Sequence, residues 1–488
     1  MFKDIKSLGK ESVIYGFSTI AARFLNFLLM PFYTHYLSPG EYGIGAAVFS
    51  YIAFFNILYH YGMDQAYMRH FDEKERSFPA AFAGVFWVSL AFTLILALNA
   101  SRAAVLAGIG GVNARLVVYA AVILFIDALS AVPFAGLRME HKALRYSLIR
   151  VLSIVVNITL NIFFIARLGF GLEGIFMANV IASLFALAAV LYPCRRLLSL
   201  KAEKEAFKKL LIFALPLVPA GLGSMAVQVI DRPLLLKLAD SSAVGVYQAN
   251  YRLGIFMMLV VGMFDAAWRP FFIERAQKEN AKEIFARVLT YFVFGGAWLA
   301  LAVSFFISDI AKFTVFSKPL IHQAYWGGLG IVPIILWAYF FNGIYINFLA
   351  PVIIAKKTTA IMNAAAWGAG ISIIANLALI PEFGITGAAW AAFIAYFVMA
   401  AEIYPAGRKV YAVPYEFRRI GAVLAVSLLF SLPLFWPGAL PGGAWTLYRF
   451  SALIAYPFIF ILCGFLFDDE KAGLRDYLGL KGRVEGRG

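Results

Sequence analysis

Four arginines stand inside long apolar runs of this 488-residue chain: Arg23, Arg150, Arg232 and Arg252. A guanidinium costs on the order of 2.5–3.5 kcal/mol at a bilayer centre on an insertion scale. A charge kept at that cost faces a polar cavity or a partner. Its planar fork matches the oxygens of a phosphate or a carboxylate, so the chemistry on offer is anion recognition. A structural ion pair with a buried acid is the plainer use of the same group. Polar neighbours accompany three of the four. Asn26 lies one turn beyond Arg23, Asn250 lies just before Arg252, and Gln228 shares a helix face with Arg232. These six residues, Arg23, Asn26, Gln228, Arg232, Asn250 and Arg252, are the candidate substrate-binding set. Arg150 is close to the end of its run, where it can snorkel to the interface.

The acids inside apolar runs are Asp64, Asp127, Asp231 and Asp265, with Glu402 at the edge of another. A carboxylate at membrane depth can carry a proton or hold a cation. Asp127 and Asp231 are the candidates for a coupling ion. Asp127 has no basic residue within a helical turn, and pairing with an arginine on another helix is its alternative role. Asp231 is equally a candidate partner for Arg252 or Arg23. Asn157 and Asn161, four residues apart, and Asn363 and Asn376 suit hydrogen bonds between helices. Pro216 and Pro219, with Pro233 later, should bend one helix, and Gly221 and Gly223 soften it further. Arg69 and Arg269 end matching helices and are gate candidates; topology and packing are their simpler roles.

Composition says what positions these groups. Of the residues, 62% are hydrophobic and only 14% charged, where about a quarter of a soluble chain is charged. Phe alone occurs 47 times. Such a chain turns apolar side chains outward only into lipid. Cys194 and Cys463 make no disulfide framework, neither cysteines nor histidines have metal spacing, and no cofactor is expected. The formal charge of +15 does not indicate nucleic acid, because the basic residues fall in clusters between apolar runs.

The fold class expected is all-α: a polytopic membrane protein with about fourteen spans. They are placed at 12–37, 42–68, 79–100, 114–137, 145–167, 170–192, 210–238, 242–267, 286–308, 324–351, 358–380, 384–405, 417–436 and 446–467. Arg23 interrupts the first run, which therefore reads as a retained helix and not as a signal peptide. With the N-terminus inside, the inner segments carry 31 Lys plus Arg and the outer loops 7. That bias sets the orientation, with both termini cytoplasmic.

A repeat is visible. Gly62-Met63-Asp64-Gln65-Ala66-Tyr67-Met68-Arg69-His70-Phe71 matches Gly262-Met263-Phe264-Asp265-Ala266-Ala267-Trp268-Arg269-Pro270-Phe271 at Gly, Met, Ala, Arg and Phe. Asn161 precedes Gly171-Leu172-Glu173-Gly174 as Asn376 precedes Gly384-Ile385-Thr386-Gly387, and Tyr192-Pro193 answers Tyr404-Pro405. The offset spans six helices, an even number, so the copies run the same way through the membrane. The domains expected are a six-helix bundle over 1–200, a second over 201–410, two added helices over 411–470 and a basic cytoplasmic tail over 471–488.

With that architecture the chain resembles the polysaccharide transporter branch of the multidrug, oligosaccharidyl-lipid and polysaccharide exporter superfamily, and most of all its Wzx-type oligosaccharide flippases. The likeness rests on Tyr36-Leu37-Ser38-Pro39-Gly40-Glu41-Tyr42-Gly43 and on Asn376-Leu377-Ala378-Leu379-Ile380-Pro381-Glu382-Phe383-Gly384-Ile385-Thr386-Gly387-Ala388-Ala389. It implies two bundles facing a central cavity in the cell's inner membrane, and alternating access that moves a polyprenyl-pyrophosphate-linked oligosaccharide to the outer leaflet. A proton or sodium counter-ion, and glycosyltransferases and a polymerase as neighbours, belong to the same expectation. A multidrug exporter of this superfamily would want an acid in the first helix, which has Arg23 and only Glu11 at its edge. A peptidoglycan-precursor exporter would gather several arginines on the first two helices. A membrane enzyme or non-transporting scaffold is a different class; the one acid cluster, Asp72-Glu73-Lys74-Glu75-Arg76, is charge-balanced and reads as a solvated turn, so no catalytic role is expected. If the seventh span is the element that bends, replacing Pro216 and Pro219 together by Ala lowers transport; unchanged transport would sink that role.

Overall fold

The computed structural model describes residues 24–25, 27–315, 317–435, 441–462 and 465. Arg23, Asn26, half of the first predicted span, Cys463 and the 471–488 tail lie outside the described residues. Helix α1 is helical over 27–36. Then follow α2 (Pro39–His60), α3 (Met63–Arg69), α4 (Lys74–Leu98), α5 (Ala100–Leu106), α6 (Ala114–Met139), α7 (Ala143–Ile162) and α8 (Gly171–Cys194). The seventh predicted span is three pieces, α9 (Lys204–Ala214), α10 (Leu217–Val229) and α11 (Asp231–Leu238). The eighth is two, α12 (Ser241–Leu253) and α13 (Ile255–Arg275). The rest comprises α14 (Ala281–Lys312), α15 (Val332–Ile354), α16 (Thr358–Val410), α17 (Phe417–Ser431) and α18 (Gly442–Leu462).

Among the described residues eleven helices are long and apolar enough to cross a membrane, or twelve when α9 and α10, bent by 42°, count as one span. The distance from fourteen has physical sources. Half of the first span lies outside the described residues. Helix α16 joins two predicted spans across Gly384, whose backbone is non-helical (φ 53°, ψ −128°). The bend between α9 and α10 falls at Pro216, which lacks the amide hydrogen a continuous helix needs.

The repeat is written in the backbone. Gly171 and Gly384 both take φ 53°, the left-handed region glycine tolerates. Asn161 and Asn376 are both fully buried. Each donates its Nδ2 four residues back, to Asn157 O at 2.8 Å and to Ser372 O at 2.7 Å. The copies differ elsewhere. The first breaks at Tyr61 and Gly62, both at positive φ, whereas α13 runs unbroken through Gly262 and the second copy breaks at Gly254. A Cβ on Gly254 would press into Ile335 of α15.

Packing gathers the described residues up to Lys282, together with Ile307–Val413, into one unit. Glu283–Phe306 and the described residues from Pro414 onward form another. In the second unit, α17 and α18 pack on the middle of α14. Trp298 Nε1 donates to Leu453 O at 3.1 Å, and Glu416 accepts from Thr290 Oγ1 at 2.6 Å and from Arg419 Nη1 at 2.8 Å.

The centre of the first unit is the crossing of α2 and α12, which start at matching points of the repeat. Ser38 and Glu41 form a reciprocal capping box, with Pro39 at the first helical position, so α2 begins sharply. Asp240 caps α12 by accepting from Ala243 N at 2.8 Å. A Cβ on Gly43 would overlap the carbonyl of Ser241, and one on Gly245 the carbonyl of Pro39. The two backbones therefore touch. Tyr325 closes the same end, donating its hydroxyl to Leu37 O at 2.9 Å, and Asn250 Nδ2 donates to Tyr325 O at 2.8 Å.

Gly43→Val and Gly245→Val should each lower the thermal midpoint in detergent, by the equivalent of about 1–3 kcal/mol for an overpacked contact. Gly40→Ala is the control, since its Cβ would meet only the Ser241 and Ser242 hydroxyls at 3.4 and 3.6 Å. Equal midpoints for all three would show that the helices do not need this contact.

Candidate functional site

Beneath the crossing lies a cavity of about 410 Å³ between the two copies of the repeat. From the first copy it is lined by Tyr42 and Ser50 of α2, Asn157 of α7 and Asn179 of α8; Tyr33 of α1 completes that wall. The facing wall brings Gln248 and Arg252 of α12 and Arg232 of α11. Gln248 and Arg252 are four residues apart, which puts both on the face that α12 turns inward.

The two arginines differ in circumstance. Arg232 is buried and fully engaged. Its Nη1 donates to Asp231 Oδ1 and to Gln228 O, both at 2.7 Å, and its Nε to Gln248 Oε1 at 3.0 Å. Its guanidinium also stacks 4.1 Å from the centre of the Tyr251 ring. Asp231 takes a further hydrogen bond from Tyr247 OH at 2.6 Å. Arg252 has no such anchor. Among the described residues no carboxylate lies within salt-bridge distance of it, its Nη1 is buried without a hydrogen-bond partner, and Tyr42 is the ring it faces, at 5.9 Å. The described lining holds two arginines and no acid.

The structure thus brings Gln228, Arg232, Asp231 and Arg252 to one region. Asp231 goes to its own neighbour, not to an arginine on another helix. Adjacent residues on a continuous helix do not face each other, but α10 ends at Val229 and Asp231 opens α11, so its carboxylate folds back onto the Arg232 amide and guanidinium. Asn250 stands behind the wall, its Nδ2 spent on Val246 O and Tyr325 O. Asp127 is elsewhere, between α6 and α8, bonded to Ser183. Arg150 stacks on Phe134 at 4.1 Å. At the opposite ends of the helices Arg69 lies over Phe213 and Arg269 pairs with Asp265 at 2.6 Å. Sequence reasoning missed Tyr33, Tyr42, Asn179 and Gln248; only Gln248, one turn before Arg252, carried a spacing signal.

The sequence pattern of a family described as polysaccharide biosynthesis protein matches residues 34–311, more than half of the chain. The chain belongs to the polysaccharide biosynthesis protein family. The resemblance to the polysaccharide branch of the exporter superfamily therefore holds. Among curated protein sequences no relative matches. The family member shares its fold with solved structures. The lipid II flippase MurJ in an inward closed conformation is similar at TM-score 0.73 and 16% identity, over 92% of this chain and 98% of that one. An inward-facing multidrug resistance MATE transporter of the MOP superfamily follows at 0.64 and 17%, over 83% and 96%. A mutant of the Vibrio cholerae MATE transporter VcmN stands at 0.58 and 14%, over 83% and 98%. In this family member the buried Asp231–Arg232 pair anchors one cavity wall.

Removing Asp231 strands a buried guanidinium, so Asp231→Ala should cost about 3–5 kcal/mol in a denaturant titration. Tyr247→Phe deletes one hydrogen bond to a charged group, about 1.5–3 kcal/mol. The double variant Asp231→Leu with Arg232→Met should recover most of the first loss. A double variant as unstable as Asp231→Ala would mean that the two charges are not coupled.

Proposed function

We propose that this protein flips a polyprenyl-pyrophosphate-linked oligosaccharide from the inner to the outer leaflet of the cytoplasmic membrane, making and breaking no covalent bond. The observation that carries this reading is Arg252, a guanidinium without a carboxylate partner among the described residues, in a cavity whose described lining holds no acid. A cavity of that charge attracts an anion and disfavours the cationic cargo of a multidrug exporter. Membership in the polysaccharide biosynthesis family supports a glycan cargo. The peptidoglycan precursor shares the pyrophosphate, but the described part of the first two spans contributes no arginine to the cavity.

The charge bias puts both termini in the cytoplasm and makes the Gly43–Gly245 crossing the outer seal. Bundles at 1–200 and 201–410 then work as the moving halves, with 411–470 added. Asp231, engaged by Arg232, is a structural partner, which leaves Asp127 as the candidate for proton or sodium coupling. Arg69 and Arg269 stand at the inner ends, and the Pro216–Pro219 bend is the hinge candidate in the second half.

In proteoliposomes loaded with a fluorescent polyprenyl-pyrophosphate oligosaccharide, Arg252→Ala should slow translocation about tenfold or more, the loss expected for a charge-assisted phosphate contact. Arg252→Lys keeps the charge without the fork and should retain part of the rate. Unchanged translocation by the Ala variant would remove the central support for an anionic cargo.

A further inference from the structure

A second cavity, of about 460 Å³, lies within the second half of the chain. It is in the size range of ligand pockets, roughly 300–1,000 Å³. It shares two wall residues with the first, Val229 and Arg232, so the two spaces meet where α10 gives way to α11. Its chemistry is different. The rings of Tyr251, Tyr339, Tyr345 and Tyr396 line it, with the amides of Gln228 and Asn342. Tyr339 OH donates to Tyr251 OH at 2.9 Å, which holds that pair of rings in place. Among the described residues the Asn342 amide and the Tyr345 hydroxyl take part in no hydrogen bond with the protein, so their capacity is open to a ligand. Among the described lining residues the one charged is Arg232, already neutralised by Asp231.

Aromatic faces with uncommitted amide and hydroxyl groups and no net charge suit a neutral, hydroxyl-rich ring. Its apolar C–H face stacks on tyrosine and its edge hydroxyls bond to amides. Among the described residues an anion finds no free cation there, and no carboxylate lines the space to hold a metal ion or proton. We infer that this cavity is a saccharide subsite, holding sugar units while the pyrophosphate sits at Arg252 on the other side of the Arg232 wall. The inference rests on the proposed cargo and adds a division of labour: one cavity reads charge, the other reads sugar.

The test uses the full chain in nanodiscs and two probes, farnesyl pyrophosphate and the same carrier linked to a trisaccharide of N-acetylglucosamine, with binding followed by calorimetry. The glycan probe should bind the unaltered protein more tightly. Asn342→Ala and Tyr345→Phe should each weaken the glycan probe about tenfold, the loss of one or two hydrogen bonds, and leave farnesyl pyrophosphate unchanged, which also reports that the variants are folded. Arg252→Ala should weaken both probes. If Arg252→Ala weakens both while the Asn342 and Tyr345 variants bind the glycan probe normally, the saccharide subsite is wrong and the anionic cargo stands. Equal affinity of the two probes for the unaltered protein also overturns the subsite. If Arg252→Ala changes neither probe, the underlying cargo reading fails.

Discussion

Two backbones touch where α2 crosses α12, and the rest of the first unit is arranged around that contact. Without side chains at Gly43 and Gly245, the helix starts lie as near as main chains allow. Farther along both helices the cavity opens, lined by Gly45, Ala46, Phe49 and Ser50 of α2 and by Gln248 and Arg252 of α12. Arg252 is seven residues beyond Gly245, about 10 Å along the helix. The cavity thus lies below the glycine contact, and the capping residues Ser38 and Asp240 set where each helix begins.

Charge is distributed unevenly over the wall below. The region has two arginines and one acid, and the acid pairs with the arginine it adjoins. Burying that pair is a weak source of stability, since desolvating two charges offsets much of their attraction. Its value is geometric. Held by Asp231, Gln228 and Gln248 and stacked on Tyr251, Arg232 becomes a rigid partition between two cavities. Arg252 keeps the unneutralised charge, and no comparable ion pair is found at the matching place in the first half among the described residues. Among the described residues the excess charge is therefore on one side of the cavity and not centred.

Much of this was legible in the sequence, for definite reasons. Membrane spans announce themselves by hydropathy, and Gly171 and Gly384 are visible as matching landmarks of the repeat, at a φ that only glycine accepts cheaply. The candidate arginines stood out because a charge inside an apolar run is conspicuous. What stayed hidden involves residues that look alike whether they pack or line a cavity. Tyr339, Asn342 and Tyr345 sit in an apolar run with nothing in their spacing to separate them from core. The break at Gly254 was invisible too, since its cause is Ile335 on another helix. Asp231 is a candidate both for a coupling ion and for a partner to Arg252 or Arg23, because the sequence places the bend of the seventh span at its prolines; the interruption at Ile230 turns it toward Arg232 instead.

The unequal breaks of the two copies make levers of unequal length. Beyond Gly62 the second span continues for the seven residues of α3, about 10 Å, while beyond Gly254 the eighth continues for the 21 residues of α13, about 32 Å. A given rotation at each joint sweeps the tip of α13 through roughly three times the arc of the tip of α3. Matched by the repeat, the two halves carry a short arm and a long one. A small angular change at Gly254 is amplified at Arg269 into a displacement that the opposite half does not match.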